Sequence, residues 1–267
     1  MGTQSSTPEQ SNLYSKMPRS PRAVPALRSF SVSAPQPWAD SKAKRLFDLF
    51  VASIGVVILL PLFAVIAILV KLTSPGPVLF RQQRVGKSQV PFTIYKYRTM
   101  YTSSESETPG SSVTRCGDHR FTSIGPFLRK CKLDELPQLF NVILGDMSLV
   151  GPRPKLPKHE RMEMICKPGI TGAATIVFAQ EQTLLKTVPK ESFEYFTIFV
   201  LNEIKAKIDR EYAQTCTFWS DLRIIFATLS GPWRRTTATS IGELLTIYGH
   251  KPGPTAKSIS LGLEWIN

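Results

Sequence analysis

Acidic and basic residues gather between positions 129 and 153 in a pattern suited to phosphate chemistry. Asp134 and Glu135 are adjacent, Arg129 and Lys132 precede them, and Arg153 follows, framed by Pro152 and Pro154. The fixed φ angles of the two prolines hold the intervening backbone extended. A guanidinium displayed so stiffly suits bidentate contact with a phosphate. Each part also has an ordinary explanation. Asp is a favoured helix cap and Glu is common in a first turn, so an Asp-Glu pair at a helix start is more often structural than catalytic. Pro-Arg-Pro, taken alone, is a rigid exposed turn. It is their convergence within one short segment that argues for an anion site.

The element that must present the acids is legible in LDELPQLFNVILGDMSLVGPRP, Leu133 to Pro154. Leu136, Leu139, Phe140 and Ile143 follow the i, i+3, i+4, i+7 spacing of a helix with one buried face, and Gly145 supplies its stop. Pro137 has no backbone donor and is tolerated in a first turn, which predicts a helix start near Asp134. The unpaired amides of a helix start also attract phosphate. With no GxGxxG after a strand and no GxxxxGKS/T loop, a Rossmann fold is not expected, and phosphate binding falls to this helix start and the arginines.

The chain has 267 residues, 42% of them hydrophobic, enough for one moderate core, and its formal charge of +13 asks for an anionic partner: nucleic acid, an acidic membrane or a phosphorylated substrate. The four cysteines form no CxxC pair and only three histidines are available, so no zinc cluster is expected and reduced, cytosolic thiols are the simplest reading. Residues 1–41 are rich in Ser and Pro and predict a disordered arm, neither a signal peptide nor a cleavable leader, with a transit peptide as the lesser alternative.

Residues 42–73 read as a membrane anchor. From Leu49 to Val70 about 22 residues run without a charge, about 33 Å of helix, enough for a hydrocarbon core of about 30 Å. Pro61 near the middle predicts a break, and the basic residues on both flanks (Lys42, Lys44 and Arg45 before; Lys71, Arg81, Arg84 and Lys87 after) favour both ends on the cytosolic side. A re-entrant helix-break-helix meets that demand; an ordinary kinked span is the alternative.

Residues 74–230 then predict one compact domain. A hairpin is expected from Val78–Gln82 and Pro91–Met100, turning at Val85-Gly86-Lys87, with Lys96 and Arg98 of YKYRTM alternating on one face as a basic edge. The Ser-, Thr- and Glu-bearing stretch from Thr102 to Gly117 reads as a mobile loop beside the site. KPGITG, Lys167 to Gly172, predicts a tight turn that exposes backbone donors to phosphate or sugar. Phe193, Phe196, Val200, Ile204 and Ile208 predict an amphipathic helix with Glu203 and Lys207 paired on its wet side. Phe218, Trp219, Leu222, Ile225, Phe226 and Leu229 predict another, whose stripe faces either the core or the headgroup layer, before Trp233-Arg234-Arg235. Residues 231–267 form a tail without a readable motif.

RFTSIGPFLRKCKLDELPQLFNVILGDMSLVGPRP, with KRLFDLF upstream, YKYRTM between and KPGITG downstream, closely resembles the bacterial sugar transferases that load polyprenyl phosphate, the monotopic phosphoglycosyl transferases. The resemblance runs in unbroken order from about Lys44 to Leu229. It implies a mostly helical α+β fold: a re-entrant membrane helix, a compact catalytic domain on the cytosolic face of the bacterial inner membrane, and amphipathic interfacial helices. It further implies transfer of a hexose 1-phosphate from a UDP-sugar to undecaprenyl phosphate with release of UMP, the step that initiates surface-glycan assembly. Asp134 would be the nucleophile, forming an aspartyl phosphosugar. Glu135 would help bind Mg²⁺ (or Mn²⁺) with Asp134, or orient the second substrate. Arg129 and Arg153, framed by Pro152 and Pro154, would clamp phosphates, with Lys96, Arg98, Asp118 and Arg120 as further substrate-binding candidates.

Two departures stand out. The family commonly has Ser-Pro at its helix break, whereas Leu60 precedes Pro61 here. Many relatives follow KPGITG with Trp and then Gln-Val, whereas this chain reads Ala173-Ala174-Thr175-Ile176 and FAQEQTLL. A membrane-tethered nucleic-acid or scaffold protein would share the charge and the anchor but should carry base-stacking or helix-turn-helix signals, which are missing. An inactive partner of a glycan-assembly complex would keep the fold and lose a key acid or arginine; Arg129, Asp134, Glu135 and Arg153 all survive.

Overall fold

The long apolar run folds as a single helix, α1 (Lys42–Thr73), in the computed structural model, which describes residues 36–101, 120–157, 164–179 and 201–230 together with Glu181, Leu185 and Thr197. Ser41 caps its start by accepting the Lys44 N–H at 2.9 Å, and Ser74 follows its end. Pro61 lies inside this helix and does not end it, so the predicted break at Pro61 is corrected: one helix of 32 residues, about 48 Å long, replaces the helix-break-helix. A proline removes one hydrogen bond, and a long helix packed along one side can absorb that loss. The arm also ends earlier than predicted, because residues 36–41 are ordered against the domain. There Ala39 is buried, the Gln36 N–H donates to Ala213 O at 2.9 Å, and Trp38 Nε1 donates to Asp221 at 2.9 Å.

Both ends of α1 are fastened to the same domain. Near its start, Lys44 pairs with Asp221 in full burial, Arg45 donates to the carbonyls of Val142 and Ile143 at 2.6 and 3.0 Å, and Asp48 accepts the Leu149 N–H at 3.2 Å. Toward its end, Tyr97 Oη donates to Phe63 O at 2.9 Å, and Arg98 Nη2 donates to both Ser74 O and Ser74 Oγ at 2.8 Å. The opposite side carries Leu46, Phe50, Val57, Val65, Ile68 and Leu72, all exposed and mostly three, four or seven or eight residues apart. Such a stripe on one face of a helix asks for an apolar surrounding. Among the described residues, α1 is the helix long and apolar enough to cross a membrane.

The expected hairpin forms from β1 (Leu79–Val85) and β2 (Pro91–Tyr97), antiparallel, with Leu79 opposite Tyr97 and Val85 opposite Pro91. Two short helices follow, α2 (Gly125–Lys130) and α3 (Gln138–Leu144), joined through a 3₁₀ turn at Leu133–Glu135. β3 (Ser148–Val150) then pairs in parallel with β4 (Gly169–Thr171). α4 (Ala173–Val177), α5 (Asn202–Thr215) and α6 (Phe218–Leu229) complete a mostly helical fold with a few strands. The principal core joins Ala52 of α1 to Val142, Met147, Val150, Ala173, Ile208, Tyr212 and Ile224, and a second cluster sets Phe63, Ile66 and Val70 against Tyr97 and Leu128.

KPGITG is not the donor-exposing turn predicted for it. Its residues supply β4, and its glycines serve close packing: a Cβ on Gly169 would lie 2.1 Å from the Gly151 nitrogen, and one on Gly172 2.2 Å from Gly151 O. The Gly169 N–H is spent on Pro152 O at 2.8 Å.

In α5 the predicted faces hold where they are described. Ile204 and Ile208 are buried, and Lys207 pairs with Glu203 at 3.5 Å, while Phe193, Phe196 and Val200 lie outside the described residues. α6 turns its apolar stripe outward: Trp219, Phe226 and Leu229 are exposed, and Ser220, Asp221, Ile224 and Ala227 face the core.

Asp221 is fully buried and receives Lys44, Trp38 Nε1 and the Tyr212 hydroxyl. Removing one partner of a buried ion pair leaves an uncompensated charge, which costs about 3–5 kcal/mol, whereas removing both costs much less. Lys44→Met is therefore expected to lower stability by about that amount, and Lys44→Met combined with Asp221→Leu to recover a large part of it. Denaturant unfolding of both variants in detergent checks this.

Candidate active site

Lys132 adopts φ 55°, a left-handed backbone that costs a non-glycine residue about 1–2 kcal/mol, and it turns the chain from α2 into the 3₁₀ turn. Asp134 and Glu135 thus sit on a tight turn rather than at the start of an α-helix. The α-helix begins only at Gln138, with Pro137 as the flanking residue. At seven residues α3 is too short to supply a strong dipole, so the predicted helix-start anion site gives way to side chains.

The face of α3 is also rotated from the prediction. Gln138, Asn141 and Val142 are buried, Leu136, Leu139 and Ile143 are half-buried, and Phe140 is exposed. The apolar side turns toward α1, where the Phe140 ring lies 5.6 Å from that of Phe63. The polar side turns inward because β2 needs partners there: Asn141 accepts the Tyr95 N–H at 3.0 Å and donates to Thr93 O at 2.7 Å, as a neighbouring strand would. That pair of bonds fixes the distance between the acids and the hairpin.

Lys96 on β2 and Arg153 after β3 converge on one oxygen of Glu135, each at 2.6 Å. Burial pushes the Glu135 carboxyl up, but the Arg153 and Lys96 cations outweigh it and hold the group well below the usual carboxylate range. Asp134 differs. It is 7% exposed and carries no ion pair or side-chain hydrogen bond among the described residues. Burial, and then the Glu135 charge, push its carboxyl up, while Lys96, Arg129 and Arg153 draw it back. One acid is clamped and the other is left available to a substrate.

Arg153 is set in place through its backbone. Its N–H and that of Ala174, in the first turn of α4, both donate to Asp209 of α5, a buried carboxyl pushed up to about 7 by burial against the opposing pull of Lys155. Pro152 O accepts the Gly169 N–H, and Pro154 O accepts from Arg84 Nη1 at 3.3 Å, so both prolines are engaged through their carbonyls. Arg129 is aimed by Thr99 Oγ1, to which its Nε donates at 3.0 Å, and by the Phe121 ring, 4.9 Å from its guanidinium carbon.

Of the predicted site residues, the structure therefore brings Lys96, Arg129, Asp134, Glu135 and Arg153 together. It takes Arg98 away: this arginine is 3% exposed and committed to the end of α1, a structural clasp rather than a substrate contact. Arg120 is half-buried, with its carbonyl accepting the Tyr101 N–H at 2.8 Å, and Asp118 lies outside the described residues. Asp209, Asn141, Gln138 and Arg84 were missed. The polar residues among the apolar ones of α3 were the available signal for Gln138 and Asn141.

The residues present fit a divalent cation only as a site completed by substrate. No cluster of three or more His, Cys, Asp or Glu exists among the described residues, and Glu135 is already held by two cations. Asp134 alone offers an uncommitted carboxylate, and one carboxylate together with substrate phosphates is a usual setting for Mg²⁺.

Residues 39–235 match the sequence profile of a family described as bacterial sugar transferase. The chain is 37% identical over 209 residues to the UDP-N-acetylgalactosamine-undecaprenyl-phosphate N-acetylgalactosaminephosphotransferase of Aeromonas hydrophila, covering 74% of this chain and 44% of that one. It is 38% identical over 196 residues to a UDP-glucose:undecaprenyl-phosphate glucose-1-phosphate transferase of Klebsiella pneumoniae, covering 70% and 39%. It is also 37% identical over 196 residues to a similarly named protein of Caulobacter vibrioides, covering 70% and 68%. The chain thus spans less than half the length of the Aeromonas and Klebsiella relatives.

The raised Asp134 carboxyl has a consequence for stability. The folded state holds its proton to higher pH than the unfolded state does, so stability falls as pH rises from the ordinary carboxylate range through the higher folded value, and ionised Asp134 is a cost at neutral pH. Asp134→Asn is expected to be at least as stable as wild type at pH 7 and to lose this part of the pH dependence. Glu135→Gln, which strands Lys96 and Arg153, should instead cost about 1–3 kcal/mol. Thermal unfolding across pH checks both signs.

Proposed function

Since the chain belongs to the bacterial sugar transferase family, we propose that it transfers a sugar 1-phosphate from a UDP-sugar to undecaprenyl phosphate, releases UMP, and so initiates assembly of a surface polysaccharide or glycoconjugate. The observation that carries this reading is a buried, uncommitted Asp134 within the field of Lys96, Arg129 and Arg153, beside a Glu135 whose charge is already matched. The relatives' names, which specify glucose and N-acetylgalactosamine, support the substrate class.

In the proposed reaction an Asp134 carboxylate oxygen attacks the sugar-bearing phosphorus of the donor. The bond from that phosphorus to the bridging oxygen breaks, and UMP leaves with the oxygen. The resulting aspartyl phosphosugar is attacked by a phosphate oxygen of the lipid, which takes the sugar phosphate and restores Asp134. Arg153 and Arg129 neutralise and align the phosphoryl oxygens, Lys96 and Arg153 keep Glu135 from repelling them, and the tight turn holds Asp134 for in-line approach. Asp134, completed by the substrate phosphates, would hold Mg²⁺ (or Mn²⁺), which supplies charge neutralisation as a Lewis acid when bound.

The site must also meet a lipid phosphate. We propose that α1 is re-entrant in the sense that both its ends stay on the cytosolic face of the inner membrane, supported by the attachment of Lys44, Arg45 and Asp48 at one end and Ser74 at the other to the same domain. The exposed Trp219, Phe226 and Leu229 of α6 would then sit in the interface. Both substrates are anionic, and the chain's charge of +13 draws them to that surface.

Single cysteines at Gln36 and Pro77 test the topology: with an impermeant thiol reagent both should remain unlabelled in intact cells and react after lysis, and labelling of either from outside rejects the re-entrant placement. The chemistry is tested with purified protein, a panel of UDP-sugars and Mg²⁺, without acceptor lipid. UMP release and an adduct of sugar-phosphate mass on the peptide holding Asp134 are expected, both absent in Asp134→Asn. Full turnover by Asp134→Asn would refute the covalent route, and no UMP from any UDP-sugar with lipid present would refute the function.

A further inference from the structure

A small cavity of about 20 Å³ lies against Glu135, with Arg84, Lys96, Gln138 and Arg153 among its walls. It has room for about one oxygen-sized atom. Two of its walls end in donors with nothing to bond: Arg84 Nε and Gln138 Nε2 are both buried without a partner. The other two nitrogens of the Arg84 guanidinium are engaged, Nη1 donating to Pro154 O at 3.3 Å and Nη2 to Gln82 Oε1 at 2.6 Å, whereas Nε bonds to nothing. Gln138 is 2% exposed, so bulk water does not reach its amide. Buried donors are nearly always paired, and two orphans lining one cavity mark a place built to receive an acceptor. The charge of the walls states which kind. Arg84, Lys96 and Arg153 face one carboxylate, Glu135, and this excess of cations favours an anionic oxygen over a neutral one.

We infer that Arg84 and Gln138 form a phosphoryl-oxygen pocket beside Glu135, in which one non-bridging oxygen of a substrate phosphate accepts from Arg84 Nε and Gln138 Nε2. The phosphate belongs either to the donor's diphosphate or to the polyprenyl acceptor. This inference rests on the function proposed above and extends it to two residues outside the Asp-Glu and Pro-Arg-Pro motifs. The pocket also gives Gln138 a reason to face inward from a helix whose other residues supply ample apolar surface. A substrate oxygen seated there would bond to Arg84 and Gln138 within a cavity that Arg153 also lines, so the phosphate would be held by more than one residue. Such a grip fixes orientation as well as charge, which a single arginine does not do.

The test uses the full chain in lipid nanodiscs, wild type against Gln138→Leu and Arg84→Lys. Gln138→Leu deletes the amide at similar volume, and Arg84→Lys keeps the charge without Nε. In the donor arm, binding of UDP and of inorganic pyrophosphate is measured by calorimetry. In the acceptor arm, the KM for undecaprenyl phosphate is measured. Either variant is expected to weaken one arm roughly tenfold, the size of one lost bond to a charged group, and the arm affected names the phosphate that occupies the pocket. Ligand-free Gln138→Leu should melt no lower than wild type, since it removes an unsatisfied buried group. Affinities and KM within twofold of wild type in both arms would overturn the inference and leave the cavity as a water site. If Gln138→Leu does not fold, Arg84→Lys decides alone. UDP binding needs no turnover, so a failure of the proposed reaction, seen as no UMP from any UDP-sugar, stays distinguishable from a failure of the pocket.

Discussion

The carboxylate of Glu135 is the joint on which the site depends. It draws Lys96 from the hairpin and Arg153 from the segment after β3 onto one oxygen, each at 2.6 Å, and so closes three stretches far apart in the chain around Asp134. Two cations left facing each other here would repel, since Lys96 is largely shielded from water. Glu135 removes that repulsion, and Arg153 remains half-exposed and able to reach a ligand. Counting Arg129, three cations oppose two carboxylates, and the cluster keeps a net positive charge even when both acids are ionised. An anion is welcome there while a second carboxylate is tolerated.

Geometry of this precision needs support behind it, from buried polar side chains and from close backbone packing. Asn141 ties α3 to β2, Asp209 holds the Arg153 and Ala174 backbones, and the Gly151, Gly169 and Gly172 crossing brings β3 and β4 close enough to hold Pro152. Apolar surface meanwhile lies outside, on α1, on Phe140 and Leu144 of α3, and on Trp219, Phe226 and Leu229 of α6. In a protein surrounded by water this sorting would be costly. Against a bilayer it is the low-energy arrangement, since apolar side chains gain nothing by leaving lipid and polar groups must find one another inside.

The placement of these faces also explains what sequence could and could not reveal. The hairpin was readable from its alternation and its Gly86 turn, and the approach of Arg153 to the acids from the stiffness of Pro152 and Pro154. The Glu203 and Lys207 pair needed only helical spacing. Periodicity establishes that α3 and α6 have two faces, but not what each face meets: the stripe of α3 packs against α1 with Phe140 left exposed, whereas Trp219, Phe226 and Leu229 of α6 turn outward. Arg98 was misplaced for a related reason. Lys96 on β2 meets Glu135, whereas Arg98, one residue past the strand, meets Ser74, the residue that follows α1, 24 positions earlier, so neither stands on the open basic edge expected of them. Asp209 had no local signal at all, because its partners lie at Arg153 and Ala174.

The two adjacent acids, chemically almost the same, are thereby given opposite characters. Glu135 is held ionised by paired cations, which makes it a weak base with its lone pairs engaged. Asp134 is pushed the other way by burial and by its neighbour's charge, which leaves its carboxylate more basic than usual. A more basic carboxylate is a better nucleophile, provided it is ionised when substrate arrives, and the surrounding Lys96, Arg129 and Arg153 work in that direction. Separation of roles between neighbouring carboxyls by environment alone is a recurrent solution in acid-base and covalent catalysis. Under the proposed reaction the same balance favours formation of the adduct: the phosphosugar neutralises Asp134, relieving both the burial of its charge and its repulsion from Glu135, and attack by the lipid phosphate must then restore that cost. Formation of the adduct is aided by the environment that makes ionised Asp134 unfavourable, and its breakdown must draw on binding of the second phosphate.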